Sequence, residues 1–138
     1  MKKALIVCIA LIFIIPVTFC QTSIPKAQSL FIYNFSRLIE WPANARSGEF
    51  VIGIFGTAGE IGNELTNYMK GKKVGTQDIQ VRVYKTVAEI QGCHILFVPF
   101  SRTRQMPELI NALSGKYTLL ITEKSGALNE GSAINFVI

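Results

Sequence analysis

Five short apolar runs separated by helical patterns constrain this chain more than any other feature of it. Residues 50–55, 79–84, 94–100, 117–121 and 133–138 read as strands, bounded by turn residues and rich in Ile, Val and Phe. Residues 60–70 and 104–113 carry helical spacing between them, and a shorter helical turn falls near 87–90. Strands that alternate with helices form βαβ units, whose crossovers leave neighbouring strands parallel. Ile95-Leu96-Phe97-Val98 is apolar without interruption, as a strand covered on both faces requires, whereas Val81 and Val83 flanking Arg82 predict a more exposed strand. The expected fold is α/β, a Rossmann-like three-layer sandwich with a mostly parallel sheet in a single domain. No internal repeat, low-complexity tract or long linker divides it.

The first helical pattern covers residues 25–41. Ala27, Leu30, Phe31, Phe35, Leu38 and Ile39 recur at helical spacing, Pro25 sits at a permitted first-turn position and Pro42 stops the helix. Phe31, Tyr33, Phe35 and Trp41 give this segment an aromatic face. Such a stripe usually packs on a sheet, but it is also what a partner-binding surface needs.

Residues 1–20 read as a secretory signal: Lys2 and Lys3 form a basic start, Ala4 through Ile15 an apolar core, and Pro16 breaks it. The apolar stretch is shorter than the roughly 18 to 20 residues that span a bilayer, and Gln21, Thr22 and Ser23 follow without a basic stop signal. Lipidation of Cys20 is disfavoured by Phe19 directly before it. The expected products are a cleaved signal peptide, residues 1–20, and an exported domain, residues 21–138. Cleavage removes Cys8 and Cys20 and leaves Cys93 alone, so stability must come from a core rather than an internal disulfide. It also leaves 12 basic against 9 acidic residues. Apart from Lys70, Lys72 and Lys73 and the pair Arg102 and Arg104, those charges are scattered, which speaks against nucleic acid as a partner.

Motifs that would carry chemistry are weak. Gly53, Gly56 and Gly59 follow the first strand as a phosphate-binding turn would, yet their spacing is not the dinucleotide fingerprint and the second strand ends in Tyr84-Lys85-Thr86, without a ribose-binding acid. A tight structural turn accounts for them. Gly71-Lys72-Lys73 lacks the P-loop arrangement and reads as a solvated turn. Cys93 and His94 are adjacent, so their side chains point to opposite faces and cannot make a catalytic pair. No set of three or four convergent metal ligands is present, and neither a cofactor nor an enzymatic activity is expected. The one usable polar cluster is Ser101 and Arg102 after the third strand, with Gly56 and Thr57 after the first and Thr122 after the fourth. At the carboxyl ends of strands in an open α/β sheet these five residues are a candidate crevice for a small-molecule ligand such as a nucleotide or amino acid; helix capping and solvated arginines explain the same residues.

Several stretches together, KAQSLFIYNFSRLIEWP (26–42), FVIGIFG (50–56), CHILF (93–97) and the LLITEKSG…GSAINF ending (119–136), are similar to the YfiR-like proteins. The resemblance spans nearly all of residues 21–138. It implies a periplasmic, non-enzymatic regulatory protein that docks on the periplasmic part of an inner-membrane signalling protein and restrains a diguanylate cyclase, and so acts on cyclic di-GMP signalling. It also implies a homodimer. The family cysteine of the CHILF strand falls on Cys93, while the cysteines that pair in some members are absent. Members usually continue past the final INF strand through a further strand and a helix, so the resemblance leaves two expectations for Ile138: a fragment boundary, or a natural end at which self-association replaces the missing cover.

Overall fold

Strand β1 (Phe50–Phe55) is buried at all six positions, and its alternation divides the interior in two. Phe50, Ile52 and Ile54 join one core with Leu65, Ile95, Phe97 and Ile121, while Val51 and Phe55 join another with Leu96, Val98, Met106 and Leu109. A strand covered on both faces has no room for polar side chains, which is why its sequence is a continuous apolar run.

The computed structural model describes residues 22–137; the signal-peptide reading of residues 1–20 lies outside the described residues. After α1 (Ile24–Leu38) and β1 come α2 (Gly59–Met69), β2 (Lys73–Val74), β3 (Gln77–Tyr84), β4 (Ile95–Val98), α3 (Met106–Leu113), β5 (Leu119–Thr122) and β6 (Ile134–Asn135). The sheet order is β2-β3-β1-β4-β5-β6, parallel throughout except for the β2–β3 pair. Helices α1 and α2 pack together on one face and α3 covers the other, so the chain is an α/β domain with helices on both sides of its sheet.

Several boundaries differ from the sequence reading, each for a local reason. Helix α1 ends at Leu38 rather than near Trp41, because Ile39 turns extended (φ −81, ψ 135) and Pro42 keeps Trp41 out of the helical region. Pro99 ends β4, and a tight helical turn at Phe100–Gln105 precedes α3. The last strand shortens to Ile134–Asn135 at the sheet edge. Lys73, read as part of a solvated turn, instead pairs with Asp78 in a hairpin closed by Gly75 and Thr76.

Gly53 is required by packing. A Cβ there would lie 2.7 Å from Tyr84 Cε2 and 2.9 Å from Leu96 Cδ1, side chains that close over β1 from its two neighbouring strands. His94, by contrast, holds the start of the sheet together. The Val51 N–H donates to its Nδ1 (3.1 Å), which leaves the ring proton on Nε2 to donate to the Ala45 carbonyl at 2.7 Å. Gln77 Nε2 donates to the same carbonyl (3.1 Å), so one loop oxygen gathers β3 and the His94 ring. The imidazole stacks on Phe50 (4.1 Å between centroids) and meets Trp41 edge-on and Tyr117 at a tilt, with no carboxylate against it. Burial lowers its pKa from the ordinary value near 6.5, against the opposing pull of the bonds to Ala45 and Val51.

Two consequences can be measured. Gly53→Ala is expected to cost about 1–3 kcal/mol by overpacking, read as a lower urea midpoint at unchanged slope. The unfolded chain takes up the His94 proton near pH 6.5 and the folded chain only at lower pH, so the contribution of His94 to stability is complete above about pH 6.5 and is lost as pH falls. Thermal melts from pH 7.5 down to 5 should show that decline in the wild type and a shallower one in His94→Gln; equal slopes would remove His94 from the account.

Candidate functional site

Helix α1 departs from ordinary amphipathicity: Ile32 is fully buried and Tyr33 and Phe35 pack partly on the core, but the rest of the inward side is polar and several large apolar side chains face out. Its buried positions are Gln28, Ser29, Ile32 and Ser36, three of them polar, while Ile24, Leu30, Phe31 and Leu38 face outward. Local bonds make this tolerable. Ser29 Oγ donates to the Pro25 carbonyl (2.8 Å) and Ser36 Oγ to that of Tyr33 (2.7 Å), so neither hydroxyl is buried unsatisfied. Gln28 Nε2 donates to Glu123 Oε1 (2.7 Å), and the other oxygen of that carboxylate accepts from the Phe100 N–H (3.1 Å), tying the helix to the ends of β4 and β5.

The outward residues form a row. Ile24, Phe31 and Leu38 are seven residues apart, two helical turns each, and therefore lie along one line of the helix surface. Phe31 is 49 % exposed and Leu38 82 %. Phe31 touches Phe35 and Phe136 (centroids 6.3 Å in each case), and Phe136 reaches Phe97 in the core. Between the helix and the segment after β6 runs an open, mostly apolar groove of about 270 Å³ bordered by Ile24, Ala27, Phe31, Phe136 and Val137. Val137 also borders a neighbouring hollow with exposed Phe100, which extends the apolar strip across the end of the sheet. Contiguous exposed apolar surface of this kind is the usual mark of an interaction site.

The four aromatic residues expected on the first helix do not share one face. Phe31 borders the groove, and Phe35 stacks behind it, partly buried against the core. Tyr33 points away from the groove, edge-on to Tyr68 of α2 (5.9 Å). Trp41 lies beyond the helix and is only 6 % exposed; its indole N–H donates to the Ser36 carbonyl (2.8 Å), satisfying one of the orphan groups at the helix end. Ile24, Leu30, Leu38, Phe136 and Val137 were not singled out as contacts from the sequence. The signal was nonetheless there, in the seven-residue spacing of Ile24, Phe31 and Leu38 set against Ser29 and Ser36 on the opposite side.

The candidate crevice is assembled only in part. Strand β1 lies between β3 and β4, so the chain reverses its direction of advance there, and Gly56 and Thr57 sit beside the Ser101–Arg102 turn at the carboxyl ends of β1 and β4. Arg102 lies directly on Gly56: a Cβ there (φ 102) would be 2.6 Å from Arg102 Nε. Thr57 and Ser101 are exposed. Thr122 is not available to a crevice. It is fully buried, with Oγ1 3.0 Å from both Ser132 Oγ and Asn135 Oδ1, and so holds β6 against β5. Among the described residues every buried side-chain nitrogen and oxygen has a hydrogen-bond partner, and none is left pointing into this hollow.

Cys93 and His94 face opposite cores, as adjacent residues should, and burial pushes the Cys93 thiol up to about 12, which leaves it protonated and unreactive. Among the described residues no three His, Cys, Asp or Glu converge as metal ligands, and no helix is long and apolar enough to cross a membrane.

A family model described as YfiR/HmsC-like matches residues 25–138. No curated protein matches the chain.

Proposed function

The chain belongs to the YfiR/HmsC-like family of periplasmic regulators in diguanylate cyclase signalling, and from that premise we propose that it is an exported regulatory binding protein that docks on the periplasmic part of an inner-membrane cyclase and represses it. Residues 1–20 direct export and residues 21–138 form the binding domain. The observation that carries the reading is the outward apolar row of α1: the exposed Ile24, Phe31 and Leu38 side chains gain nothing from their position until a second surface covers them.

In this reading Phe31 is the central contact, Phe35 backs its ring, Tyr33 lies on the flank, and Trp41 acts from inside by fixing the helix end. No bond is made or broken. Repression is a population shift, which works only if the regulator binds the inactive receptor more tightly than the active one. Covering exposed side chains such as Ile24, Phe31 and Val137 supplies about 1 kcal/mol apiece, the scale on which a receptor equilibrium is moved.

The test is Phe31→Asp in the natural precursor, expressed in its own host, with gentle crosslinking and identification of captured inner-membrane proteins. Receptor affinity is expected to fall at least about thirtyfold, the loss typical of a central interface residue, with a rise in cellular cyclic di-GMP and a melting temperature close to wild type. Undiminished capture of the cyclase by the folded variant would refute the reading, and loss of the fold would make Phe31 a core residue.

A further inference from the structure

Helix α1 carries a second row on its outer side, exposed at Lys26, Leu30 and Arg37 and half-buried at Tyr33. Lys26, Leu30, Tyr33 and Arg37 follow one another at spacings of four, three and four residues, so they lie along a single line of the helix, with cations at both ends and apolar groups between. The turn after α2 extends this row sideways. Lys72 Nζ stands 4.7 Å from the Tyr68 ring centre and 5.4 Å from that of Tyr33, and Arg37 Cζ is also 5.4 Å from Tyr33. Lys70, one turn residue away, is exposed.

The charge around this row is uncompensated. Nearby Glu40 pairs with Arg46 and Asp78 with Lys73, but Lys26, Arg37, Lys70 and Lys72 take part in no salt bridge among the described residues. Helix α1 contains no Asp or Glu. On the adjoining helix α2, Glu60 and Glu64 lie two turns and one turn before Tyr68, and neither makes an ion pair with the row.

We propose that this row, completed by Lys70 and Lys72, is a docking surface for the anionic phospholipid headgroups of a membrane. Three features select that occupant. Lys26 and Arg37 are separated by about 16 Å along the helix, too far to converge on one small anion but suited to a layer of phosphates. Leu30, 43 % exposed, and two tyrosines interleave the cations, the combination that settles at the boundary between headgroups and acyl chains. A second copy is a poor occupant, because two acid-free rows would bring cations against cations. The surface would lay the protein on the membrane that holds its receptor while leaving the Ile24–Phe31–Leu38 row on the next face of the helix. The inference uses the periplasmic setting of the family but not the receptor assignment, and a vesicle assay contains no receptor.

The experiment is flotation of the full chain, as its host produces it, with vesicles of phosphatidylethanolamine containing about a quarter phosphatidylglycerol, against pure phosphatidylcholine. Wild type is expected to partition to the anionic vesicles and to release as salt is raised. Each cation near such a surface contributes roughly fivefold, so Arg37→Gln/Lys72→Gln should bind about twenty- to thirtyfold more weakly with an unchanged melting curve. The variant carries the same N-terminal residues as the wild type, so any binding due to them cancels in the comparison. Equal partition to both vesicle types, or a folded variant that binds as well as wild type, overturns the proposal. Binding to poly-L-glutamate without binding to anionic vesicles also overturns it and gives the row to an acidic protein segment.

Discussion

The burial of β1 on both faces is the constraint from which the rest of the structure follows. Because Phe50, Ile52 and Ile54 face one helical layer and Val51 and Phe55 the other, β1 must lie inside the sheet with parallel neighbours on each side. A parallel neighbour can be reached only by crossing over a face, so each crossover delivers a covering segment to one side or the other. Gly53 is the concession this requires, a missing side chain at the point where Tyr84 and Leu96 meet across the strand.

Once the sheet is covered, α1 is the element with freedom to spare. The Trp41 indole and the Gln28–Glu123 bond hold it at its two ends, and serines that bond within their own helix let it sit close with little apolar interior. Ile32 remains in the core, while Ile24, Leu30, Phe31 and Leu38 are left facing outward. A regulator needs a firmly held element that presents side chains to another molecule, and these residues are arranged that way.

Much of the fold was legible in the sequence because burial leaves periodic traces. The limits of β1 follow from its apolar run, and the alternation through Val81, Arg82 and Val83 marks a strand nearer the edge. What was illegible rests on single contacts. The β2–β3 hairpin commits only Lys73 and Val74, too few residues for any period to register. Thr122 reads as a polar residue at a strand end, and nothing local reveals that Ser132 and Asn135, ten and thirteen positions on, will occupy its hydroxyl. Trp41 joins the aromatic stripe by spacing, yet Pro42 ends the helix before it and sends the ring inward. The outward row of α1 was missed for the opposite reason: the pattern was periodic, but apolar residues at helical spacing are ordinarily assigned to the interior.

The strand order also bears on how the chain acquires its structure. Apart from the two-residue β2–β3 hairpin, every ladder joins segments separated by a crossover; Val51 and His94, which open the β1–β4 pairing, are 43 residues apart. Such closures pay loop entropy before any contact rewards them, so the helices can form early while the sheet assembles late. A chain of this topology stays open for a comparatively long interval after synthesis, with β1 and β4 unpaired. In a family whose members work in the periplasm, on the far side of a membrane from where the chain is made, late closure of the sheet keeps the chain unfolded for longer, and it comes from the same parallel arrangement that builds the core.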